Sequence, residues 1–550
     1  MAPGQDTQPR SVAQAFLRSV QRFGPREAIK PLGAPAVSYR QLAEEVRKTV
    51  AGLRAMGVGR HDTLAVCLPN GLPWVVLTYA AAFLGARLAP INIRYRPDEL
   101  RYVLQASAAT LLFTQQGFLS NAFIDRLRDI AGAPPGEGPL GVGTRAHIAA
   151  LPALRHIVMV DDADVPGTLP YRTLAAHEPA GIDLEHMAAQ LDGSEPFWLF
   201  WTSGTTSRPK GALLPQSAIG IVWQWTRLAG YDSADRVLMT RPLFYIAGHY
   251  WCFLGPLLHG ACAVVGQRFS PDEIQALCRE ERITVLSGNP LLLKSLVESP
   301  GFDPGAFDTV RLGYFSGSAL PLPDMRRIHR AIGYKRLIHT YGMTELGGFT
   351  LSTLLDDTLD TACASCGLPF GDLELKIADP ETGRPVTDGQ AGMLMSRGHP
   401  LLGYINLPED EQRAFYDDEG WYKTGDLMRK TPEGRYQFLG RAKDLIKVNG
   451  ENVSAGEIET VLMSHPDISL ASVIGLPDER RGEVPIAYLQ ASAGAAPPEI
   501  ERWCRDRMAP YKVPARFIWL GQADWPMTAT GKIQKDELRL RLLPSGPHTK

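Results

Sequence analysis

The sequence predicts an α/β protein with a large N-terminal body and a small C-terminal α+β domain. In the first half, short apolar runs such as 63–68 and 87–91 alternate with amphipathic helical patterns such as 39–56. This alternation favours parallel-rich sheets covered by helices. From Gly389 the pattern changes to short strand-like runs with frequent turns, which predicts a small β subdomain within the body.

Each predicted element of the body depends on its own spacing of apolar residues. Helices are predicted over 11–20 and 39–56, a strand over 63–68, an apolar helix over 74–84, a strand over 87–91, a helix after Pro97, further α/β structure over 218–333, and strands over 392–395 and 435–439. The stretch 132–143 is rich in Gly and Pro, which cannot hold a helix or a central strand, so we predict a surface loop there.

The last part of the chain carries a separate pattern. It predicts an opening strand, a helix over 455–464, a strand over 470–475, a helix over 499–508 and a strand over 516–520. This set forms a small α+β domain of its own. We therefore place the domains at 1–440 and 441–550, with the boundary near Arg441.

The composition excludes several classes of protein. The chain of 550 residues has 57 Lys and Arg against 59 Asp and Glu, so its net charge of −2 gives polyanions no general reason to bind. Nucleic acid is not an expected partner. A hydrophobic share of 45% argues against intrinsic disorder, and 53 Gly with 43 Pro and no repeating period argue for many turns rather than a fibre.

The cysteines and the apolar runs bear on the compartment. Seven scattered Cys in a long chain without an apolar leader indicate a reducing compartment, with the cytoplasm as the default. The pair Cys363 and Cys366 has no second pair or His partner at zinc-like spacing, so we expect buried or loop thiols there. The apolar stretch 72–86 is shorter than the ~20 residues of a spanning helix, so no transmembrane segment is expected.

The strongest local motif is an apolar strand end that leads into a loop dense in hydroxyls and glycines. Hydroxyl groups, backbone N–H groups at the glycines and one ammonium group suit phosphoryl oxygens. The loop contains Thr202, Ser203, Gly204, Thr205, Thr206, Lys210 and Gly211. It is not a Walker loop, because five residues separate Gly204 from Lys210 and Gly follows Lys. Taken alone, the composition equally describes a polar surface turn.

In the context of the whole chain, this loop closely resembles the phosphate-binding signature of the adenylate-forming superfamily. That superfamily includes acyl-CoA synthetases, luciferases and the adenylation domains of peptide synthetases. Similar elements follow in the same order at 242–248, 316–321, 341–345, 420–427, 440–450 and 530–533. The resemblance spans roughly residues 10–540.

The resemblance implies a first reaction in which a carboxylate attacks the α-phosphorus of ATP, giving acyl-AMP and pyrophosphate. It assigns the β- and γ-phosphates to Thr202–Lys210, the α-phosphate to Thr344 and Mg²⁺ to Glu345, since a hard oxygen ligand beside phosphates suits that ion. Lys532 matches the lysine that bridges the substrate carboxylate and the α-phosphate.

The same resemblance assigns the nucleoside. The adenine site is implied at Gly317, Ser318, Ala319, Tyr341 and Gly342. Asp426 matches the carboxylate that accepts both ribose hydroxyls, and Arg441 is similar to the arginine beside the same nucleotide. Outside the family context, each of these charges would be an ordinary solvated side chain.

A second reaction brings the acyl-AMP to a thiol. Relatives that make thioesters rotate the small C-terminal domain, so the resemblance implies an active site in the cleft between a large body and a mobile domain. Lys443 matches the hinge, Lys447 lies on the face that replaces Lys532, and Gly450 would let the pantetheine arm approach.

Coenzyme A is the expected thiol. No carrier domain follows Lys550, and the motif 245–251 lacks the Asp with which amino-acid-activating relatives pair a substrate ammonium. The alternatives are transfer to a carrier-protein thiol and luciferase-like oxidation of the adenylate. A nucleotide-binding pseudoenzyme is a remote alternative, because Glu345, Asp426, Arg441 and Lys532 are all residue types that can act.

The acid is the least determined substrate. The implied acyl pocket is mainly apolar and aromatic, which suits an uncharged aryl or medium-chain acid rather than a dicarboxylate. Its residues are Tyr245, where many relatives have His, together with His249, Trp251, Phe315, Gly317, Gly342, Gly348 and Phe349. Ordinary core packing is the alternative for the aromatic residues, and a satisfied core histidine for His249. The sequence leaves a monomer and a homodimer both open.

Overall fold

The computed structural model describes residues 7–133, 140–202, 208–317, 320–449, 451–492, 499–527 and 533–542. The largest sheet of the body has eight strands, and its first six run parallel. In sheet order the strands are Leu169–Pro170, His156–Met159, Leu111–Thr114, Thr63–Val66, Arg87–Pro90, Pro196–Thr202, Lys210–Pro215 and Gly403–Ile405. Lys210–Pro215 pairs antiparallel with Pro196–Thr202 on one side and with Gly403–Ile405 on the other. The chain therefore reverses its direction after Thr202.

A second parallel sheet lies in the same body. It is ordered Arg236–Leu238, Cys262–Val264, Glu27–Lys30 and Val37–Ser38, with only the last strand antiparallel. Parallel bridges through Val285 extend it from Arg236–Leu238 to Leu312–Phe315 and then to Arg336–Tyr341. Leu351–Ser352 and Leu368–Pro369 close that side antiparallel.

Two smaller sheets follow in the chain. The first is antiparallel and contains Glu374–Ala378, Ala391–Arg397, Tyr422–Lys430 and Tyr436–Arg441. The second is ordered Glu451–Ser454, Leu445–Val448, Gly482–Ala491 and Ile468–Asp478, and Arg516–Trp519 pairs parallel with Gly482–Ala491. A short 3-10 turn, Ala442–Asp444, joins the two sheets.

Helices cover the sheets of the body and both faces of the last sheet. They are Val12–Phe23, Tyr39–Ala55, Leu72–Leu84, Pro97–Ala106, Phe123–Ile130, Tyr171–Ala175, Leu184–Ala189, Ile219–Leu228, Ile246–His249, Gly255–Leu258, Pro271–Glu280, Pro290–Val297, Leu322–Ile332, Leu359–Ala364, Glu409–Arg413, Ala455–Met463, Ile500–Arg505 and Lys535–Leu540. A π-helical stretch, Tyr250–Leu254, joins Ile246–His249 to Gly255–Leu258.

Local sequence accounts for the helix ends. Ser38 caps Tyr39–Ala55 through a capping box with Gln41, and Gly85 ends Leu72–Leu84 in the left-handed conformation. Leu72–Leu84 is buried along almost its whole length and forms part of the main core. Within the described part of the chain, no helix has both the length and the apolarity to span a bilayer.

The predicted α/β class is confirmed, and two local expectations are wrong. Gly482–Ala491 was not predicted as a strand, although it is the long central partner of Ile468–Asp478. Within 132–143, Gly141–Val142 forms a short hairpin with Arg145–Ala146 instead of a plain loop, while 134–139 lie outside the described residues.

The cysteines agree with the expectation from sequence. All seven are free, and Cys363 and Cys366 are half-buried and buried, respectively. Burial raises the pKa of the Cys363 thiol to about 11 and that of Cys366 to about 12. Among the residues with described positions, no cluster of three potential metal ligands exists.

Candidate active site

The phosphate loop begins where a buried strand ends. Thr202 closes Pro196–Thr202 and lies opposite Lys210 across the antiparallel pair. Ser203, Gly204, Thr205 and Thr206 lie outside the described residues. Gly211 does not free its backbone for phosphate as the sequence suggested, because it pairs with strands on both sides. Its missing side chain is explained by packing, since a Cβ there would lie 2.5 Å from Cγ1 of Ile405.

Lys210 lies against an aromatic wall near this strand end. Its Nζ is 4.2 Å from the ring centroid of Phe415 and 5.8 Å from that of Tyr404. Partial burial lowers the pKa of Lys210, and the carboxylate of Glu345 opposes that shift. The ammonium group is thus a cation held close to the phosphate loop by aromatic side chains.

Glu345 is a buried carboxylate beside the same strand end. It lies in the turn Thr344–Leu346 that follows Arg336–Tyr341, and it is 7% exposed. Its Oε1 accepts hydrogen bonds from the Tyr404 hydroxyl at 2.9 Å and from Thr202 Oγ1 at 3.4 Å. Burial raises the pKa of Glu345, which these donors counteract. Thr344, in the same turn, is partly exposed.

Two tyrosines near Glu345 were not predicted from the sequence. The hydroxyls of Tyr404 and Tyr422 are 2.8 Å apart, so the three side chains form a hydrogen-bonded row. Both tyrosines are almost fully buried and come from different sheets. Their aromatic character suggested only core packing, and no local motif indicated that their hydroxyls would meet a carboxylate.

Asp426 is the second buried carboxylate of the site and is 1% exposed. The Tyr341 hydroxyl donates to its Oδ2 at 2.5 Å, and Arg441 Nε lies 2.7 Å from its Oδ1. Asp426 and Arg441 face each other across Tyr422–Lys430 and Tyr436–Arg441. Burial, followed by the charge of Asp426, raises the pKa of Tyr341, so its hydroxyl stays protonated and donates.

The backbone implied for adenine lies at the carboxyl edge of the second sheet. Gly317 follows Leu312–Phe315 with φ of +91°, and Gly342 follows Arg336–Tyr341. A Cβ at Gly342 would lie 2.2 Å from the carbonyl oxygen of Gly348, so only glycine fits this close approach. Ser318 and Ala319 lie outside the described residues.

The structure divides the residues predicted for the acyl pocket. Tyr245 is half-buried, and its hydroxyl accepts a hydrogen bond from Asn92 Nδ2 at 3.3 Å. His249 is fully buried: its Nε2 accepts from Trp198 at 3.4 Å and its Nδ1 lies 3.2 Å from the Leu243 carbonyl oxygen. Burial lowers the pKa of His249 to about 3, so it is the satisfied core histidine that the sequence left as an alternative.

The remaining aromatic residues predicted for the acyl pocket are buried in the core and stacked. Phe349, directly after Gly348, stacks on Trp225 at 4.2 Å and lies 5.9 Å from Trp251, with nearly parallel planes. Phe315 stacks on His339 at 4.6 Å. These contacts make the aromatic residues a rigid wall at the sheet edge.

The residues predicted in the C-terminal segment are placed on its surface. Lys447 Nζ lies 3.3 Å from Glu381, and Lys443 Nζ lies 3.6 Å from Asp536; all four side chains are exposed. In this arrangement Lys447 is paired away from Glu345. Gly450 and Lys532 lie outside the described residues.

The segment next to Lys532 is anchored by an ion pair. Lys535, the first residue of Lys535–Leu540, lies 2.8 Å from Glu459 on Ala455–Met463. Both side chains are less than one-fifth exposed. This contact fixes the helix that follows the motif 530–533.

Comparisons with known proteins identify the family of the chain. The family model described as AMP-binding enzyme matches residues 16–404, and the model of the AMP-binding enzyme C-terminal domain matches 457–532. The medium-chain acyl-CoA ligase ACSF2, mitochondrial, of Danio rerio is 30% identical over 540 residues, covering 96% of this chain and 88% of the relative.

Solved structures extend the likeness to the fold. The anthranilate CoA ligase AuaEII in complex with anthranoyl-AMP aligns with a TM-score of 0.84 and 25% identity, over 96% of this chain and 97% of that one. ATP-bound MatB from Rhodopseudomonas palustris shares the fold with a TM-score of 0.82 and 23% identity, over 96% and 98%. The chain therefore belongs to the AMP-binding enzyme family and is an AMP-forming acid–CoA ligase.

Proposed function

We propose that this ligase activates a medium-chain or aryl carboxylic acid in the cytoplasm, with Mg²⁺, and transfers the acyl group to coenzyme A. One observation carries the site assignment. Thr202 of the phosphate loop bonds Glu345, and Glu345 follows by four residues the Tyr341 that bonds Asp426, so the groups assigned to phosphate and ribose form one continuous cluster. In a nucleotide the phosphates are likewise joined directly to the ribose.

In the first step, a carboxylate oxygen of the acid attacks the α-phosphorus of ATP. The bond from that phosphorus to the bridging oxygen breaks, and pyrophosphate leaves. Lys210 and the Thr202 loop offset charge on the β- and γ-phosphates, Thr344 binds the α-phosphate, and Lys532 neutralises charge between the carboxylate and the α-phosphate. Asp426 accepts the ribose hydroxyls, with Arg441 beside it.

Glu345 fits a magnesium ligand. It is a buried carboxylate whose Oε1 is held by two donors, beside the phosphate loop and near Lys210. One carboxylate together with substrate phosphate oxygens is a usual set for Mg²⁺, which keeps several waters. When bound, the ion would neutralise charge on the phosphate oxygens.

In the second step, the sulfur of coenzyme A attacks the acyl carbon, and the bond from that carbon to the AMP oxygen breaks. Lys443 is the proposed hinge between the domains 1–440 and 441–550, and Lys447 and Gly450 belong to the face that then meets the acyl-AMP. The acid class is supported by the stacked wall around Phe349 and by the medium-chain and anthranilate ligases among the relatives. Free cysteines suit a reducing compartment.

The test is a panel of carboxylic acids assayed for pyrophosphate release with and without coenzyme A. We expect pyrophosphate, AMP and acyl-CoA in equal amounts with one class of medium-chain or aryl acid. Acyl-AMP formation without any coenzyme A thioester would indicate a carrier-protein thiol, and light emission with oxygen a luciferase. A protein that binds ATP but releases no pyrophosphate with any acid would be a pseudoenzyme.

A further inference from the structure

Arg241 lies at the same sheet edge as the residues assigned to adenine. It follows the strand Arg236–Leu238, which is bridged in parallel through Val285 to Leu312–Phe315 and then to Arg336–Tyr341. The carboxyl ends of parallel strands meet at one edge of a sheet, and α/β proteins bind their ligands there. The sequence motifs gave Arg241 no role.

The guanidinium group of Arg241 packs on the aromatic wall. Its central carbon lies 4.6 Å from the ring centroid of Trp251, and Trp251 is stacked on Phe349 at 5.9 Å with nearly parallel ring planes. Phe349 follows Gly348, which the family resemblance assigns to the acyl pocket. Through Trp251 and Phe349, Arg241 is thus linked to the position that the family resemblance assigns to the acyl pocket.

Two nitrogens of this half-buried cation lack an acceptor among the described residues. Nε and Nη2 of Arg241 are buried without a hydrogen-bond partner. Burial lowers the pKa of Arg241 to about 10, so it remains charged at neutral pH. The Trp251 ring stabilises the charge but does not accept the in-plane N–H groups, and a buried charge without such acceptors is costly.

The neighbouring residues add donors. The Tyr250 hydroxyl and Trp251 Nε1 are also buried without a partner among the described residues. Trp251, whose ring Arg241 covers, thereby adds a further unpartnered donor beside the guanidinium group. The chemistry that complements them is a group with accepting oxygens, preferably anionic.

We propose that Arg241 binds a second oxygen-bearing group of the acid, a carboxylate or a carbonyl remote from the reacting carboxylate. This inference rests on the proposed function and revises the expectation of a wholly uncharged acid. The strand before Arg241 and the strand before Gly317 lie on either side of Val285 in the sheet. Two strand spacings separate them, so their ends are about 10 Å apart. That distance suits a group at the far end of a medium-length chain or on the opposite side of an aromatic ring.

The experiment compares matched acids in the acyl-CoA assay of the full-length enzyme: octanoic, 7-oxooctanoic and octanedioic acids, and benzoic, 4-acetylbenzoic and terephthalic acids. We expect kcat/KM to be at least about 100-fold higher for an acid with the second oxygen group than for its plain partner. The better of the oxo and carboxylate arms identifies the group. In Arg241→Met this ratio falls by about 100-fold, mainly through KM, and Arg241→Lys restores part of it.

Arg227→Met is the matched control, because Arg227 also covers a tryptophan ring, that of Trp223, but on the exposed surface. It should leave the wild-type ratio in place. If Arg241→Met lowers kcat/KM for plain and oxygenated acids equally, or if wild type prefers plain acids, Arg241 has only a structural role. If wild type releases pyrophosphate with no acid, the proposed function itself fails.

Discussion

Lys532 is the single residue with the largest expected effect on adenylation. In Lys532→Ala, the cation between the carboxylate and the α-phosphate is lost, so acyl-AMP formation should fall by at least about 100-fold. Conversion of supplied acyl-AMP and coenzyme A to thioester should persist, because we propose that this step uses the face of the C-terminal domain that carries Lys447. ATP–pyrophosphate exchange and the thioester assay measure the two steps separately. Equal loss of both would contradict the assignment.

Tyr404 is a positioning residue for Glu345. Tyr404→Phe removes the hydroxyl that donates to Oε1 at 2.9 Å. One such hydrogen bond contributes about 1 kcal/mol, so the Mg²⁺ concentration for half-maximal exchange should rise about fivefold.

The matched variant is Tyr422→Phe, whose hydroxyl contacts Tyr404 rather than Glu345. Its effect on the Mg²⁺ requirement should stay below about twofold. Direct titration with Mn²⁺, followed by its paramagnetic resonance in the presence of ATP, checks binding apart from activity. The same shift in both variants would point to general loosening of the core.

At the scale of single residues, the sequence predicted those side chains that belong to a recognisable motif. Thr202 contacts Glu345, and Tyr341 contacts Asp426, while the roles assigned to these residues stay predictions. Tyr404 was missed because its contact with Glu345 joins residues 59 positions apart. Arg241 was missed because it lies just before the motif 242–248 and its contact with Trp251 depends on how the chain folds there. His249 was predicted for the acyl pocket because it lies in the motif 245–251. Both of its ring nitrogens make contacts inside the core instead.

At the scale of elements, the turn Ala442–Asp444 is the short connection between two separate sheets. Lys443→Pro fixes φ near −65°, which restricts the backbone change that rotation of the domain requires. We expect thioester formation to fall at least about tenfold more than ATP–pyrophosphate exchange.

Lys443→Ala separates backbone from side chain, since it removes only the exposed contact with Asp536. An exposed ion pair contributes little, so both half-reactions should stay within about twofold of wild type. If Lys443→Ala copies Lys443→Pro, or if Lys443→Pro abolishes exchange as completely as thioester formation, the hinge role is wrong.

Element boundaries were predictable where periodicity was strong and turn residues marked the ends. Tyr39–Ala55 and Ala455–Met463 lie within one residue of their predicted bounds. Gly482–Ala491 was missed because Pro485 argues against a central strand. There the hairpin with Ile468–Asp478 and burial of the strand outweigh the local preference.

At the scale of the whole molecule, Lys447 and Glu381 form one contact between the last segment and the body. The pair is exposed, so it should add at most about 1 kcal/mol to this arrangement. In Lys447→Ala, thioester formation should fall, since Lys447 is assigned to the second half-reaction. In Glu381→Ala, both half-reactions should stay within about twofold.

The two variants break the same ion pair, so their comparison isolates the second role of Lys447. Separate initial rates of exchange and thioester formation make the measurement. Similar losses in both variants would mean that the contact itself, rather than the lysine in the active site, matters. The division into domains 1–440 and 441–550 stays a prediction from the change of sequence pattern. The contacts between the final segment and the body were not predictable, because exposed side chains have no periodic signature.

The pairing of Asp426 with Arg441 has a consequence for product release. Arg441 ends its strand immediately before the turn Ala442–Asp444, so the carboxylate assigned to ribose is bonded to the last residue ahead of the proposed hinge. Linkage between two such equilibria is reciprocal. If a bound ribose weakens the ion pair between Asp426 and Arg441 by a given factor, the orientation of the final segment changes the affinity for the nucleotide by the same factor. Departure of AMP and the return of that segment are then thermodynamically coupled.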